Sequence, residues 1–383
     1  MRVAVVSEFY PRAYDPVLGI WAHRQALAAR DAGADVRALV LHRPIPPRAE
    51  PHKLRALGRM LRQPHRTELD GLEIEYVPFV SPPRGPSYGA WGAWAAPTLR
   101  VALARLHRRW PFDLIHAHNA VPPGDAVRRA RPAAPLVVSV HGGDVFFTAR
   151  RHGEETVRRV FEHARMVLAN SAGVEEMTRR LGAQRTAVVH LGTDLPSEQP
   201  PRGSKTLVTV AHLVTRKRHA DVLRALWVLR ETRPELRYLI IGDGPERGPL
   251  ERLTAELGLA DRVEFAGQLP PDAALARARE CAAMIMPSVD EAFGMAYIEA
   301  MAGGLPVIGS AGEPGPHEIG ALGDGIRLVP PGDVERLARE IDELFDRDTL
   351  VALGRKARRT VEQHFTWEEC GGVTVAAYEE ALR

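Results

Sequence analysis

Short apolar runs alternate along most of this chain with longer stretches in which apolar residues recur at helical spacing. The runs Val3–Ser7, Val36–Leu41, Leu114–His118, Leu136–Val140, Met166–Asn170 and Ala187–Leu191 are predicted strands. Helices are predicted between several of them, Ile20–Ala32 and Glu154–His163 among these. The alternation fades after Leu195 into a Pro/Gly/Ser-rich stretch, so residues 196–205 are read as a linker. A second series then begins, with predicted strands Leu207–Leu213, Tyr238–Gly242, Val263–Gly267, Ala283–Pro287 and Pro306–Gly309. Strands alternating with helices form parallel sheets. The expected fold class is therefore α/β, with doubly wound units over residues 1–195 and 206–365 facing across a cleft. The final segment, 366–383, is a predicted helix with no strand after it, expected to cross back to the first unit. Ligands of such sheets bind beyond the carboxyl ends of the strands.

Composition narrows the class. A chain of 383 residues is long enough for two cores, and 45% apolar with 26% charged residues is usual for a globular protein. No run approaches the roughly 18 apolar residues a membrane span needs. The start Met1–Ser7 reads as a strand and not a signal peptide. Cys281 and Cys370 stand far apart, which favours a reducing cytoplasm over a disulfide framework or a zinc site. Residues 1–200 carry 28 basic and 19 acidic side chains and the remainder 23 and 29, so net charge divides into +9 and −6. The basic half suggests an anionic partner surface; nucleic acid is not expected.

The candidate chemistry lies at predicted strand ends. After Ala283–Pro287 comes E-A-F-G-M-A-Y-I-E, from Glu291 to Glu299, opening a helix. The first amides of a helix lack intrahelical partners and suit an anion, and Gly294, between Phe293 and Met295, permits close approach to the backbone. Carboxylates accept bonds from hydroxyls. A ligand with both phosphates and hydroxyls fits, and a nucleotide sugar is such a ligand. His212 stands in the end of the first strand of the second series, and the cations Arg216, Lys217 and Arg218 follow it, where they would stabilise a diphosphate leaving group; a solvated charge run is the alternative. His141-Gly142-Gly143-Asp144 follows Leu136–Val140 and is either a ligand-facing loop or a capped turn. Gly19 ends the long loop from Pro11, just before a predicted helix, but G-x-G-x-x-G is absent. His116 and His118 in H-A-H-N are expected on opposite faces of a strand end, leaving at most one, such as His118, to line the cleft. No nucleophile with a plausible base and no metal-ligand cluster stands out. Residues 53–66 place Leu54, Leu57 and Leu61 on one helical face and Arg55, Arg59, Arg62 and Arg66 on another. That pattern suits peripheral association with an anionic membrane, or equally a surface helix packed on the core.

Taken together, these motifs resemble glycosyltransferase family 4, over nearly the whole chain. The resemblance implies the GT-B fold of two Rossmann-like domains and transfer, with retention, of a sugar from a nucleotide diphosphate donor. It places Glu291 on donor-sugar hydroxyls and Glu299 on the ribose. The amides of Phe293, Gly294 and Met295 meet sugar and diphosphate, Lys217 the leaving diphosphate, and His141 the reacting sugar. Asp144 orients the site or the acceptor, and Gly19 faces the diphosphate. Two positions depart from the family's cationic pattern: His212 stands where an arginine is common, and Arg218 where a glycine is. The opening V-S-E-F-Y-P and G-I-W-A-H-R-Q are similar to cell-envelope polysaccharide transferases of the teichuronic-acid type. A glycan or lipid-linked acceptor, work in the cytoplasm at the inner face of the membrane, and no cofactor or metal are the matching expectations. A nucleotide-sugar epimerase and a non-catalytic glycan-binding protein are the competing readings.

Overall fold

The computed structural model describes residues 1–44, 58, 60–197, 203–346 and 348–383. Two compact units divide them: Met1–Leu191 with Trp367–Arg383, and Gly192–Thr366.

The first unit holds an eight-stranded sheet. Its strands are β1 (Arg2–Ser7), β2 (Asp35–His42), β3 (Arg66–Leu69), β4 (Leu72–Pro78), β5 (Leu114–His118), β6 (Leu136–Val140), β7 (Met166–Ala169) and β8 (Thr186–Val188), in spatial order β3-β4-β2-β1-β5-β6-β7-β8. All pairs are parallel except β3 with β4. β5 and β6 are buried at every residue, as strands covered on both faces are. The order reverses between β1 and β5, which makes their carboxyl ends the switch point.

The β3–β4 hairpin was not expected. Asp70 and Gly71 both have positive φ, 51° and 78°, the pair of values a two-residue hairpin turn needs. Arg66 therefore opens a strand opposite Glu75 and does not end a helix. Of the amphipathic helix expected over 53–66, residues 53–57 and 59 lie outside the described residues. Among the described residues no helix is long and apolar enough to cross a membrane.

The second unit is a six-stranded parallel sheet, β9 (Thr206–Val210), β10 (Arg237–Ile241), β11 (Val263–Gly267), β12 (Ala283–Ile285), β13 (Val307–Ser310) and β14 (Ile326–Val329). Its order is β11-β10-β9-β12-β13-β14, the dinucleotide-fold order with its switch point between β9 and β12. Leu207, Tyr238, Ile240, Ile285 and Ile308 lie in one buried cluster. β14 is an additional strand that the apolar pattern did not mark. β9 stops at Val210, three residues before its apolar run does.

The chain passes into the second unit at Gly192, and Thr193 bridges Thr366, its N–H donating to Phe365 O at 2.9 Å. The last helix, Trp367–Leu382, packs on the helix Ile20–Asp31 of the first unit. Gly371 permits this approach, because a Cβ there would fall 2.2 Å from Ala28 O.

Candidate active site

In the second unit the chemistry gathers at the β9–β12 switch point. After β9 the chain makes a single helical turn, Thr215–Lys217, and Arg218 enters the left-handed region at φ 55° before the helix His219–Val228. After β12, Val289 N–H donates to Arg216 O at 2.9 Å, tying the two strand ends together. This brings Lys217 Nζ to 2.6 Å from Glu291 Oε2 and 3.8 Å from Met286 Sδ. Ser288 Oγ donates to the same carboxylate oxygen at 2.9 Å, and Arg216 Nη1 stands 3.9 Å from it. Burial raises the Glu291 pKa, but Lys217 foremost, with Arg216 and Ser288, outweighs that and holds it below the usual carboxylate value. Glu291 is thus an ionised acceptor at neutral pH.

Gly294 precedes the helix Met295–Ala302 at φ 89°. A Cβ there would meet the Tyr297 ring at 2.3 Å, so glycine is required by both backbone and packing. Phe293 is buried against Phe365, ring centroids 5.6 Å apart. Met295 and Glu299 are half-buried on the helix. Burial raises the Glu299 carboxyl; Arg279 opposes this and Asp194 adds to it. His212 is exposed. Arg218 turns to Asp221, Nε to Oδ2 2.6 Å.

In the first unit His118 and His141 lie at the ends of β5 and β6 and share a hydrogen bond, Nδ1 to Nε2 3.0 Å, with rings stacked at 5.3 Å. The expectation that His116 and His118 face apart is corrected. Residues two apart on a strand share a face, and these rings lie 4.4 Å apart. His116 instead bonds Ser139 Oγ and the Tyr378 hydroxyl of the last helix, each at 2.7 Å. Burial lowers all three imidazoles, His116 to about 3 and His141 to about 4, so they are neutral near pH 7. Asp144 is buried and turned inward. Its carboxylate accepts from Ala120 N–H at 3.0 Å, Val121 N–H at 3.3 Å and Asn119 Nδ2 at 3.2 Å, which fixes the turn after β5. Burial nevertheless raises its pKa to about 6. A Cβ at Gly19 (φ 65°) would fall 2.1 Å from the Phe9 carbonyl, so packing alone explains that glycine.

Sequence reasoning missed Ser288, Tyr297 and Glu313 around Glu291, and Glu8 at the end of β1. Tyr88 OH donates to Glu8 Oε2 at 2.8 Å, and burial raises that carboxyl against the pull of Arg84. Position was the available signal for Glu8, since it directly follows a β1 strand end.

Residues 18–196 match the family model for Glycosyltransferase Family 4, and residues 193–360 that for Glycosyl transferases group 1. The chain is 29% identical over 308 residues to the MMP alpha-(1->4)-mannosyltransferase of Mycolicibacterium hassiacum, covering 74% of each. Its fold is similar to that of the sucrose-phosphate synthase from Thermosynechococcus elongatus (TM-score 0.77, 22% identity, 99% of this chain and 98% of that one). It is also similar to Anabaena HepE in complex with UDP-glucose (TM-score 0.71, 21% identity, 100% of both chains). On these matches and on its two Rossmann-like sheets, the chain belongs to glycosyltransferase family 4 and is a glycosyltransferase of GT-B fold.

Proposed function

We propose that this enzyme transfers a sugar from a nucleoside diphosphate donor to a hydroxyl of a glycan or lipid-linked acceptor, with retention, in polysaccharide or cell-envelope synthesis. The carrying observation is the Lys217–Glu291 pair, 2.6 Å apart at the β9–β12 switch point, beside the open amides of the helix Met295–Ala302. In this reading Glu291 accepts bonds from donor-sugar hydroxyls and Glu299 from the ribose. Phe293, Gly294 and Met295 present amides to the diphosphate, and Lys217 with Arg216 neutralises it as it leaves. His141 stands beside the reacting sugar, as a neutral imidazole. The basic first half of the chain supports an anionic acceptor.

The step is a front-side displacement. The bond from the anomeric carbon to the diphosphate oxygen breaks while the acceptor oxygen bonds to that carbon on the same face. The acceptor proton passes to the departing phosphate oxygen, so no protein nucleophile takes part. The enzyme contributes positioning and charge stabilisation. Because protein groups neutralise the diphosphate, activity should survive chelation of divalent cations.

A thermal-shift panel of nucleoside diphosphate sugars against their bare nucleotides tests the donor half, beginning with UDP-glucose, which Anabaena HepE binds. One sugar nucleotide should stabilise the protein more than its nucleotide does, and NMR of the product should show the donor's anomeric configuration. An inverted product, or no sugar-dependent stabilisation across the panel, would refute the reading.

A further inference from the structure

Glu313 belongs to none of the motifs above, yet it holds the segment that carries Glu291. It immediately precedes the helix Pro314–Leu322, where a side chain could cap that helix, but it makes no such bond. Its Oε2 instead accepts from Glu291 N–H at 2.9 Å, and the carboxylate also takes a backbone bond from Asp290. The grip is two-sided, since Gly315 N–H donates back to Glu291 O at 3.0 Å. Gly315 also lies so close to Phe293 that a Cβ would fall 2.2 Å from its carbonyl oxygen. The held backbone is unusual: Asp290 is left-handed at φ 53° and Gly294 at φ 89°, and a non-glycine residue keeps such a conformation only where its surroundings impose it. Glu313 does this from an unfavourable position, half-buried and next to the charges of Asp290 and Glu291, both of which oppose its ionisation. Bonds from amides to a carboxylate are among the stronger ones.

The geometry points to Glu313 as a positioning residue for the donor site, acting through the Asp290–Gly294 backbone on Glu291. This rests on the donor role proposed for Glu291. Its carboxylate stays off the ligand and sets where the Glu291 carboxylate and the amides of Phe293, Gly294 and Met295 stand.

Hydrogen exchange of the full chain, without any ligand, tests the local claim. In Glu313→Ala, peptides covering residues 289–295 should exchange at least tenfold faster while those of β9, β10 and β13 keep their rates. Glu313→Gln retains one carbonyl acceptor and should recover most of the protection. Unchanged exchange at 289–295, or acceleration spread over the whole unit, would overturn the proposal. Kinetics with the donor found by thermal shift test its consequence. Glu313→Ala should raise the donor KM at least tenfold and leave the acceptor KM in place, whereas a merely structural residue would lower kcat with both KM values unmoved. Glu291→Ala separates the two ideas. If it raises the donor KM and Glu313→Ala does not, the positioning role alone fails; if it leaves the donor KM unmoved, the donor role of Glu291 fails, and exchange still decides what Glu313 holds.

Discussion

Replacing Lys217 by Met separates what this side chain does for the fold from what it does for the reaction. Its ammonium lies 2.6 Å from Glu291 Oε2, with the two side chains 12% and 11% exposed. Truncating one partner of a buried pair costs about 3–5 kcal/mol, because the other charge is left without compensation. Residual solvent and Arg216, 3.9 Å away, reduce this to about 2–3 kcal/mol. For a unit of this size the melting temperature should fall by roughly 5–10 °C at pH 7. The pH dependence carries the sign. Glu291 is held below its usual value of 4.5, so its stabilising contribution is present above that pH and lost as pH falls through the folded value. In Lys217→Met burial is less opposed, the carboxyl pKa rises, and protonation relieves the strain. The deficit should therefore be large at pH 7 and much smaller at pH 4. Thermal unfolding of the native protein, Lys217→Met, Glu291→Gln and the double variant at both pH values gives the coupling directly. The double variant should regain most of the lost stability and none of the activity, with turnover still down by about 10²–10³-fold from loss of charge stabilisation. Equal stability of Lys217→Met and the native protein at pH 7, or the same deficit at pH 4, would refute the reasoning.

Gly294→Ala places a Cβ 2.3 Å from the Tyr297 ring at φ 89°; about 1–3 kcal/mol of stability should be lost, together with the sugar-dependent thermal shift, and a tolerated alanine would show that the turn adjusts. The buried imidazoles make the first unit acid-sensitive: with folded values of about 3 for His116 and about 4 for His141 against 6.5, stability is complete above pH 6.5 and falls as pH drops toward 4, by at most about 1.4 kcal/mol per pH unit for each group. His141→Asn should make that slope shallower in denaturant unfolding at pH 4–7, and an unchanged slope would remove His141 from the account.

Strands buried on both faces were legible because their runs are mainly apolar and short; β5 matches its run, Leu114–His118, end for end although two histidines stand in it. The β3–β4 hairpin was hidden because β3 is mostly exposed and preceded by a Leu/Arg pattern that reads as a helix. Asp70-Gly71 was the turn signal that should have competed with that pattern. The site divides in the same way. Glu291, Gly294 and Lys217 stand in local motifs with a chemical logic of their own. Glu313 meets Glu291 only because β12 and β13 are neighbours in the sheet, whereas Ser288 and Tyr297 lie within six residues of Glu291 and are brought to it by the turn between β12 and the next helix; no local pattern shows which side chains will face one another there.

The two departures from the family's cationic pattern show what structure adds to a motif. A glycine is common at position 218 because the turn needs a positive φ, and Arg218 holds φ 55° all the same. Its ion pair with Asp221, 2.6 Å long, anchors the left-handed residue at the mouth of the next helix. It also turns the guanidinium toward Asp221. His212 is exposed, and of these three side chains only Arg216 approaches Glu291, on the same turn that carries Lys217.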